Sequence, residues 1–372
     1  MRAQLLAMKL GRLDEAQATS EAALRLIEER EGVAVSLVRS DALNVQGWVF
    51  LEKRDWPKAR ITLETSLNIR QTLQDYPRIA ASLANLGPVL WRLNDSQAES
   101  VFQQCVELCE RTEDVQGSAR AKHNLAFVRV ESGNLVGAIP MFQEAYHDQA
   151  SIGDRFSMAL TLVNVGAAEF AIERYGIAHQ YYEQALLDIA PSEMNKSNAA
   201  GLNALVNLAE AALCLGNIQE TTQTLDQLDR QLGSDLPRWE NAVFYFLLRA
   251  DLAAVQGEDG EVTQQLGQAL TAATEQGDTS QQAEIRARLD APSTHPWALW
   301  AAALTTHDPN ALTQALDLNV EAWRRAYLYD ALAASGRLEA GAEAQDIRAR
   351  FTGPPDPFLQ SLQTTPPPGR HP

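Results

Sequence analysis

Cysteine and histidine are both scarce in this chain. Only 3 of the 372 residues are Cys and 6 are His, and none of them lies at the spacing of a zinc site. Cys105 and Cys109 stand one helical turn apart, where disulfide geometry is rarely satisfied. We therefore expect Cys105, Cys109 and Cys214 to be small apolar packing residues, and the sequence predicts no metal site.

Positive charge is also in short supply. The chain has 31 Lys and Arg against 48 Asp and Glu, which gives a formal net charge of −17. Nucleic acids and anionic membrane surfaces both require clustered cations. The longest wholly apolar run, Trp297–Leu304, is far shorter than the roughly 20 residues that span a bilayer. No small-residue cleavage site, which a signal peptide would need, precedes Asp14. The sequence thus predicts no nucleic-acid or membrane partner and a cytoplasmic location.

Motifs that carry catalysis are missing as well. No Lys follows a phosphate-binding glycine loop, no pair of His has the zinc-protease spacing, and no Ser stands in a nucleophile elbow. The stretch Gly257–Glu261 is acidic, but it lacks the alternating oxygen ligands of a calcium loop. We expect no enzyme activity and no cofactor.

What the sequence does contain is a repeat. A turn residue is followed by an apolar residue at plus two, Ala at plus five, an aromatic residue or Leu near plus nine and a small residue at plus twelve. A clear copy is Gly133, Leu135, Ala138, Phe142 and Ala145. The pattern returns about every 40 residues, which indicates stacked supersecondary units. Its copies start at Gly11, Arg54, Asn94, Gly133, Glu173, Gly216, Gly257 and Gly336.

A small residue also recurs seven positions before most of these turns, inside a segment of helical periodicity. Glycine in a helix interior costs about 1 kcal/mol relative to Ala, so its return at one phase predicts that two helices approach closely there. The positions are Gly47, Gly87, Ala126, Gly166, Ala209 and Ala250. No segment alternates apolar and polar residues, so we predict an all-α fold of helix-turn-helix units and no strands.

The stretch from Asn124-Leu125-Ala126 through Gly133 to Gly153-Asp154-Arg155, together with the spacing, resembles the tetratricopeptide repeat. The likeness is to its long form, found in kinesin light chains, in adaptors of the LGN type and in bacterial regulators. The resemblance covers about residues 3–290 and, more weakly, 320–350. It implies a right-handed α-solenoid that binds proteins or peptides.

The predicted domain organisation has three parts. Residues 1–290 form a solenoid of about seven repeats, of which the first is clipped because its inner helix would begin before Met1. Residues 291–351 form degenerate C-terminal repeats or a cap, split by several Pro. Residues 352–372 are Pro-rich and predicted to be a disordered tail. Since each repeat in such an array contacts only its neighbours, we expect residues 1–290 to fold without the rest.

One feature points to a binding surface. In four successive repeats an Asn precedes the small inner-helix residue by two positions, namely Asn85, Asn124, Asn164 and Asn207. The resemblance implies that the first helix of each pair lines a concave groove, where such an Asn ladder clamps the backbone of a bound peptide. An amide offers two donors and one acceptor to any extended chain. Alternatively, these Asn bond to backbone between repeats and fix the stacking.

Extending the phase adds further candidates to the same face: Trp48, Trp91, Arg120, His123, Phe127, Phe170 and Asn203. The aromatic residues either line the groove or pack on the neighbouring repeat. Arg120 and His123 are predicted to form a positive spot that suits a ligand carboxylate, although Arg120 could also be simply solvated.

We therefore expect a protein- or peptide-binding scaffold or adaptor. The alternative is a sensory or oligomerising arm of a bacterial signalling or transcriptional regulator, with an effector domain that precedes Met1. The sequence leaves self-association possible and does not name the partner.

Overall fold

The computed structural model describes residues 12–189, 199–290 and 295–364. Within these ranges the chain forms helices joined by turns, and it contains no strand. The prediction of an all-α fold is confirmed. Contacts divide the chain into two compact units, with the division between Ser157 and Met158. Each unit is described by itself.

The first unit is a series of antiparallel helix pairs. Each helix packs on the next, and α2, α4 and α6 also contact one another in turn; we call these the inner helices. The helices are α1 (Leu13–Leu26), α2 (Val33–Glu52), α3 (Trp56–Thr72), α4 (Tyr76–Arg92), α5 (Ala98–Arg111), α6 (Val115–Glu131) and α7 (Leu135–Ser151).

Carboxylate and amide caps fix where several of these helices begin. The side chains of Asp55, Asp75, Asp114 and Asn134 each accept a hydrogen bond from the backbone N–H three residues on. This satisfies one of the four donors that a helix start leaves unpaired.

The second unit continues the pairing. Its helices are α8 (Arg155–Ala171, which begins just before the division), α9 (Tyr175–Asp188), α10 (Ala199–Leu215), α11 (Ile218–Leu232), α12 (Ala242–Gln256), α13 (Asp259–Glu275), α14 (Thr279–Asp290), α15 (Pro296–Thr306), α16 (Pro309–Ala315), α17 (Ala322–Ala334), α18 (Ala340–Arg350) and α19 (Pro357–Thr364). A 3₁₀ segment, Gly233–Arg238, separates α11 from α12. The helices α10, α12, α15 and α17 contact one another in that order.

The repeat starts identified in the sequence are the left-handed residues that end the inner helices. Each of those that the structure describes has a positive φ: Arg54, Asn94, Gly133, Glu173, Gly216, Gly257 and Gly336. Gly11 lies outside the described residues. A residue in this conformation lets the chain leave the helix and reverse direction, which explains why the same position marks every repeat.

The recurring small residues lie where two helices cross. A Cβ placed on Gly47 would stand 2.4 Å from Cγ of Leu63, and one on Gly87 would stand 2.4 Å from Cε1 of Phe102. Ala126 in the first unit and Ala209 and Ala250 in the second are fully buried. The predicted close approach is confirmed. The three Cys are free and buried, in agreement with a packing role.

The C-terminal helices of the second unit return to its first helices, which the sequence did not predict. The hydroxyl of Tyr327 on α17 donates to the carbonyl of Leu213 on α10 at 2.6 Å. The backbone N–H of Gly176 donates to the carbonyl of Phe351 at 2.9 Å. In this unit, contacts are therefore not restricted to neighbouring repeats.

The prediction of a disordered tail is wrong for residues 357–364. Residues 357–364 form α19, on which Leu359 and Leu362 are buried, and the hydroxyl of Tyr181 donates to Asp356 at 2.8 Å. Because this segment is rich in Pro, its sequence gave no indication of an apolar helix face. That face is recognised only when the fold shows that its Leu residues are buried. Residues 365–372 lie outside the described residues.

Candidate peptide-binding surface

The Asn ladder occupies equivalent places on the inner helices of the first unit. Asn85 lies on α4 and Asn124 on α6, each half-buried and each followed by a buried Leu. Within the part of the chain that the structure describes, the side-chain amides of Asn85, Asn124 and Asn207 make no hydrogen bond. Asn164 does have an interaction partner. Bonding between repeats, the structural alternative, is therefore not seen at three of the four positions.

A pocket of about 430 Å³ opens at the carboxyl-terminal ends of α2, α4 and α6. We call it the Trp91 pocket. Its apolar lining is Leu51, Trp56, Pro88, Trp91, Phe102, Phe127 and Val128, and its polar lining includes Asn124, Arg54 and Arg92. Three residues that the sequence singled out, Trp91, Asn124 and Phe127, thus meet in one cavity.

Aromatic contacts hold the walls of this pocket. Trp91 and Phe127 pack edge-to-face with ring centroids 5.2 Å apart, an arrangement that the ring quadrupoles favour. The guanidinium of Arg92 lies 4.3 Å from the Trp91 ring centroid, within the range of a cation–π contact. The pocket therefore combines a rigid aromatic wall with cationic groups at its edge.

The predicted positive spot at Arg120 and His123 is only half right. Arg120 is exposed, but the ring of His123 packs edge-to-face against Phe142 at 5.4 Å. Burial lowers the pKa of His123 to about 4, because the charged imidazolium loses its hydration there. His123 is therefore neutral at pH 7, and its assignment as a cation is wrong.

The neighbouring Lys122 is the buried cation of this region. Its Nζ lies 3.0 Å from Asp148, 3.2 Å from Glu110 and 3.5 Å from Glu144. Burial would lower the pKa of Lys122, but the hydrogen bonds that its ammonium donates to Asp148 and Glu110 outweigh this effect, and the pKa is raised. Lys122 thus links α5, α6 and α7, and these three carboxylates neutralise its positive charge. The sequence offers no signal for this, since the carboxylates come from two other helices.

Trp48 on α2 packs beside Ala16 and Val49. It lies against the first helix pair and does not line the Trp91 pocket. The sequence left two alternatives open for the aromatic residues, lining the groove or packing on the neighbouring repeat, and Trp48 follows the second.

In the second unit, two of the candidate residues are engaged by internal contacts. Asn203 accepts a hydrogen bond from Asn241 at 2.8 Å. Phe170 packs on Tyr175, and Tyr175 packs in turn on Phe351, each pair with ring centroids 4.6 Å apart. The C-terminal segment thus completes an aromatic column that begins at Phe170.

Glu210, which sequence reasoning missed, lies on the same face of α10 as Asn203 and Asn207, one turn further on. It is half-buried. Its burial, and to a smaller extent the nearby Asp251 carboxylate, raises its pKa to about 8. Asp251 itself is paired with Arg324 at 2.9 Å. The signal in the sequence was an acidic residue at a repeat position that holds Pro88, Phe127 and Ala167 in the three preceding repeats.

Among the described residues, one cluster brings together potential metal ligands: His179, Glu183 and Glu220. Nδ1 of His179 lies 3.4 Å from Glu183, and Nε2 lies 2.8 Å from Glu220. The two carboxylates face different ring nitrogens, whereas a metal ion is held by one nitrogen of an imidazole. We describe the cluster as a hydrogen-bonded histidine that joins α9 and α11.

The structure is similar to solved helical repeat proteins. BtubC (BKLC) from P. vanneervenii matches with a TM-score of 0.50 and 16% identity, over 60% of this chain and 91% of that one. The fold is a helical repeat array of the tetratricopeptide type. Pseudomonas aeruginosa PilF is also similar (TM-score 0.49, 16% identity, 67% of this chain and 96% of that one). So is a Rap protein complexed with competence and sporulation factor (TM-score 0.48, 12% identity, 95% and 94%).

No protein-family model and no curated protein sequence matches the chain. At identities of 12–16%, the likeness to solved structures concerns the fold alone. No helix that the structure describes is long and apolar enough to cross a membrane.

Proposed function

We propose that this chain is a protein-interaction module that binds an extended segment of a partner along the inner helices of its first unit. Asn85 on α4 and Asn124 on α6 hold the backbone of that segment. The observation that carries the proposal is that both amides are half-buried and make no hydrogen bond among the described residues. A peptide backbone supplies the acceptor and the donor that such an amide needs.

The geometry of the first unit supports this assignment. The helices α4 and α6 contact each other, and their Asn side chains precede the small residues Gly87 and Ala126 by the same two positions. Amides that bind the backbone of a peptide do not distinguish ligands by their side chains. The Asn side chains therefore contribute to affinity, and other groups must supply selectivity. In the second unit we assign the corresponding role to Asn207, whereas Asn164, at the same repeat position, already has an interaction partner.

The proposal is tested with Asn85→Ala/Asn124→Ala. Each amide would make one or two hydrogen bonds worth about 0.5–1.5 kcal/mol net, so the double variant should bind a partner about ten- to a hundredfold more weakly, or worse. Its melting temperature should stay near that of the wild type. Asn68→Ala is the matched control, because Asn68 is an exposed amide on the outer helix α3.

Partners are first captured from host lysate with the wild-type protein and then purified for measurement of affinity. Unchanged affinity of the double variant would contradict the clamp. A destabilised variant that keeps the wild-type affinity would instead make the Asn ladder an architectural feature.

A further inference from the structure

A second cavity, of about 360 Å³, lies within the second unit, where α17 and α18 meet the carboxyl-terminal ends of α10, α12 and α15. We call it the Arg348 pocket. Its apolar lining includes Leu215, Ile218, Val255, Leu304, Tyr327 and Ala331. Four of these side chains are only half-buried by the fold, so apolar surface remains available in the cavity. Its volume lies in the range of pockets that hold small molecules.

The return of the C-terminal helices builds this pocket and holds its wall in place. Tyr327 is anchored by the hydrogen bond from its hydroxyl to the carbonyl of Leu213. The guanidinium of Arg348 lies 5.0 Å from the centroid of the Tyr327 ring, within the range of a cation–π contact. A Cβ on Gly216 would stand 2.7 Å from Nε of Arg348. Gly216 therefore lets the Arg348 side chain lie against the turn between α10 and α11.

The polar lining of the pocket carries both signs of charge. Arg348 and Asp330 both line it, and Nη2 of Arg348 lies 2.5 Å from Oδ2 of Asp330. Among the described residues, Nη1 of Arg348 and Oδ1 of Asp330 make no hydrogen bond, and the buried Nε has no acceptor. Asp330 would repel a ligand that carries only a carboxylate, and Arg348 would repel one that carries only an ammonium. A ligand with both groups is complementary to both residues.

Three helix ends add to the negative side of this balance. The helices α10, α12 and α15 end at Leu215, Gln256 and Thr306, and the residues at or next to these ends line the pocket. The last carbonyl groups of a helix carry a partial negative charge. These ends favour an ammonium group, so the charge of Arg348 does not make the cavity selective for anions.

We propose that the Arg348 pocket binds a free α-amino acid with an aliphatic side chain. Arg348 receives the carboxylate, Asp330 receives the ammonium, and the apolar lining receives the side chain. An α-amino acid carries its two charges on one carbon atom, which matches an Arg and an Asp in direct contact. None of the ladder Asn residues lines this cavity. The site therefore goes beyond the proposed peptide clamp and would give the module a small-molecule ligand of its own.

The test measures binding of L-leucine by titration calorimetry and by the melting temperature, which rises with the concentration of any ligand that binds the folded protein alone. Three analogues each lack one recognised group. They are 4-methylpentanoate without the ammonium, 3-methylbutylamine without the carboxylate, and glycine without the side chain. We expect leucine to bind roughly tenfold or more tightly than each analogue, because each leaves one part of the pocket without its partner.

Variants connect this selectivity to the pocket. Arg348→Gln and Asp330→Asn should each weaken leucine binding roughly tenfold or more. Arg350→Gln is the matched control, because Arg350 lies on the same helix and its side chain is exposed. Ala331→Leu should abolish binding by filling the cavity while it leaves both charges in place. A thermal melt without ligand shows that each variant is folded.

Several outcomes would overturn the assignment. Equal binding of leucine and either singly charged analogue would show that one charge suffices, and equal binding of glycine would show that the apolar lining is not used. Leucine binding that survives Ala331→Leu, or no binding of leucine at millimolar concentration, would also contradict it. Asn85→Ala/Asn124→Ala should bind leucine like the wild type, so this inference and the peptide clamp can fail separately.

Discussion

Gly166 on α8 lies directly against the ring of Tyr182 on α9. A Cβ on Gly166 would stand 2.5 Å from Cε1 of Tyr182, which is closer than any real contact allows. The same relationship joins Gly87 to Phe102 and Gly47 to Leu63. The small residue of the inner helix and the large residue of the next helix are therefore one packing unit, which explains why they recur together in the sequence.

Gly166→Leu should destabilise the protein by about 1–3 kcal/mol or more, because the new side chain overpacks the crossing with Tyr182. Gly260→Leu is the control, since no atom lies within 4 Å of a Cβ at Gly260 and its φ is not positive. Urea unfolding of both variants measures the difference. Equal shifts of the two midpoints would show that Gly166 is not at a helix crossing.

Gly133→Ala and Gly267→Ala should change stability in opposite directions. Both positions have open space around a Cβ, but Gly133 has φ of 81° while Gly267 lies inside α13. Ala is strained at a positive φ, whereas Ala in a helix interior is favoured by about 1 kcal/mol over Gly. We expect a loss of about 1 kcal/mol at residue 133 and a gain of about 0.5–1 kcal/mol at residue 267. A gain at both positions in thermal melts would contradict the assignment of the turn.

Glu210 should make the second unit less stable as the pH rises. Its pKa in the folded protein is about 8, above the ordinary value of 4.5, so folding favours the neutral carboxyl. The stability that this group contributes is complete below pH 4.5 and is lost as the pH rises through about 8.

Glu210→Gln removes this dependence and should match the wild type at pH 5, but exceed its stability by about 2–4 kcal/mol at pH 9. Glu240→Gln serves as the control, since Glu240 is exposed. A difference between Glu210→Gln and the wild type that does not change with pH would show that Glu210 ionises normally in the folded protein.

Truncation after Asp290 should destabilise what remains of the second unit. It removes α15 to α19, and with them Arg324, the partner of buried Asp251. Removing one member of a buried ion pair costs about 3–5 kcal/mol, so we expect a loss of at least about 3 kcal/mol. Truncation after Thr364 is the control. If residues 1–290 unfold at the urea midpoint of the full chain, the return of the C-terminal helices contributes little to stability.

The sequence contained enough to predict the helical unit and part of the candidate site. Trp91, Asn124 and Phe127 were identified by phase on the inner helices, and the structure brings them into one pocket. Phase could not identify Arg54 or Arg92 as members of that pocket, since Arg54 belongs to a turn and Arg92 to the last turn of α4. It also could not predict that His123 would be neutral, because this follows from its burial beside Phe142.

By itself, the sequence determined the period, the left-handed turn residues and the small residues at the crossings. These are local properties: a turn needs a particular backbone conformation, a crossing needs a small side chain, and repetition makes both visible. Only the tertiary structure decided that α17, Phe351 and Asp356 return to α9 and α10. Tyr181 and Asp356 are 175 residues apart, and a single hydrogen bond across such a distance leaves no periodic pattern in either segment. For the same reason the sequence did not indicate the apolar face of α19, because its Leu residues can be recognised as core residues only when the fold buries them.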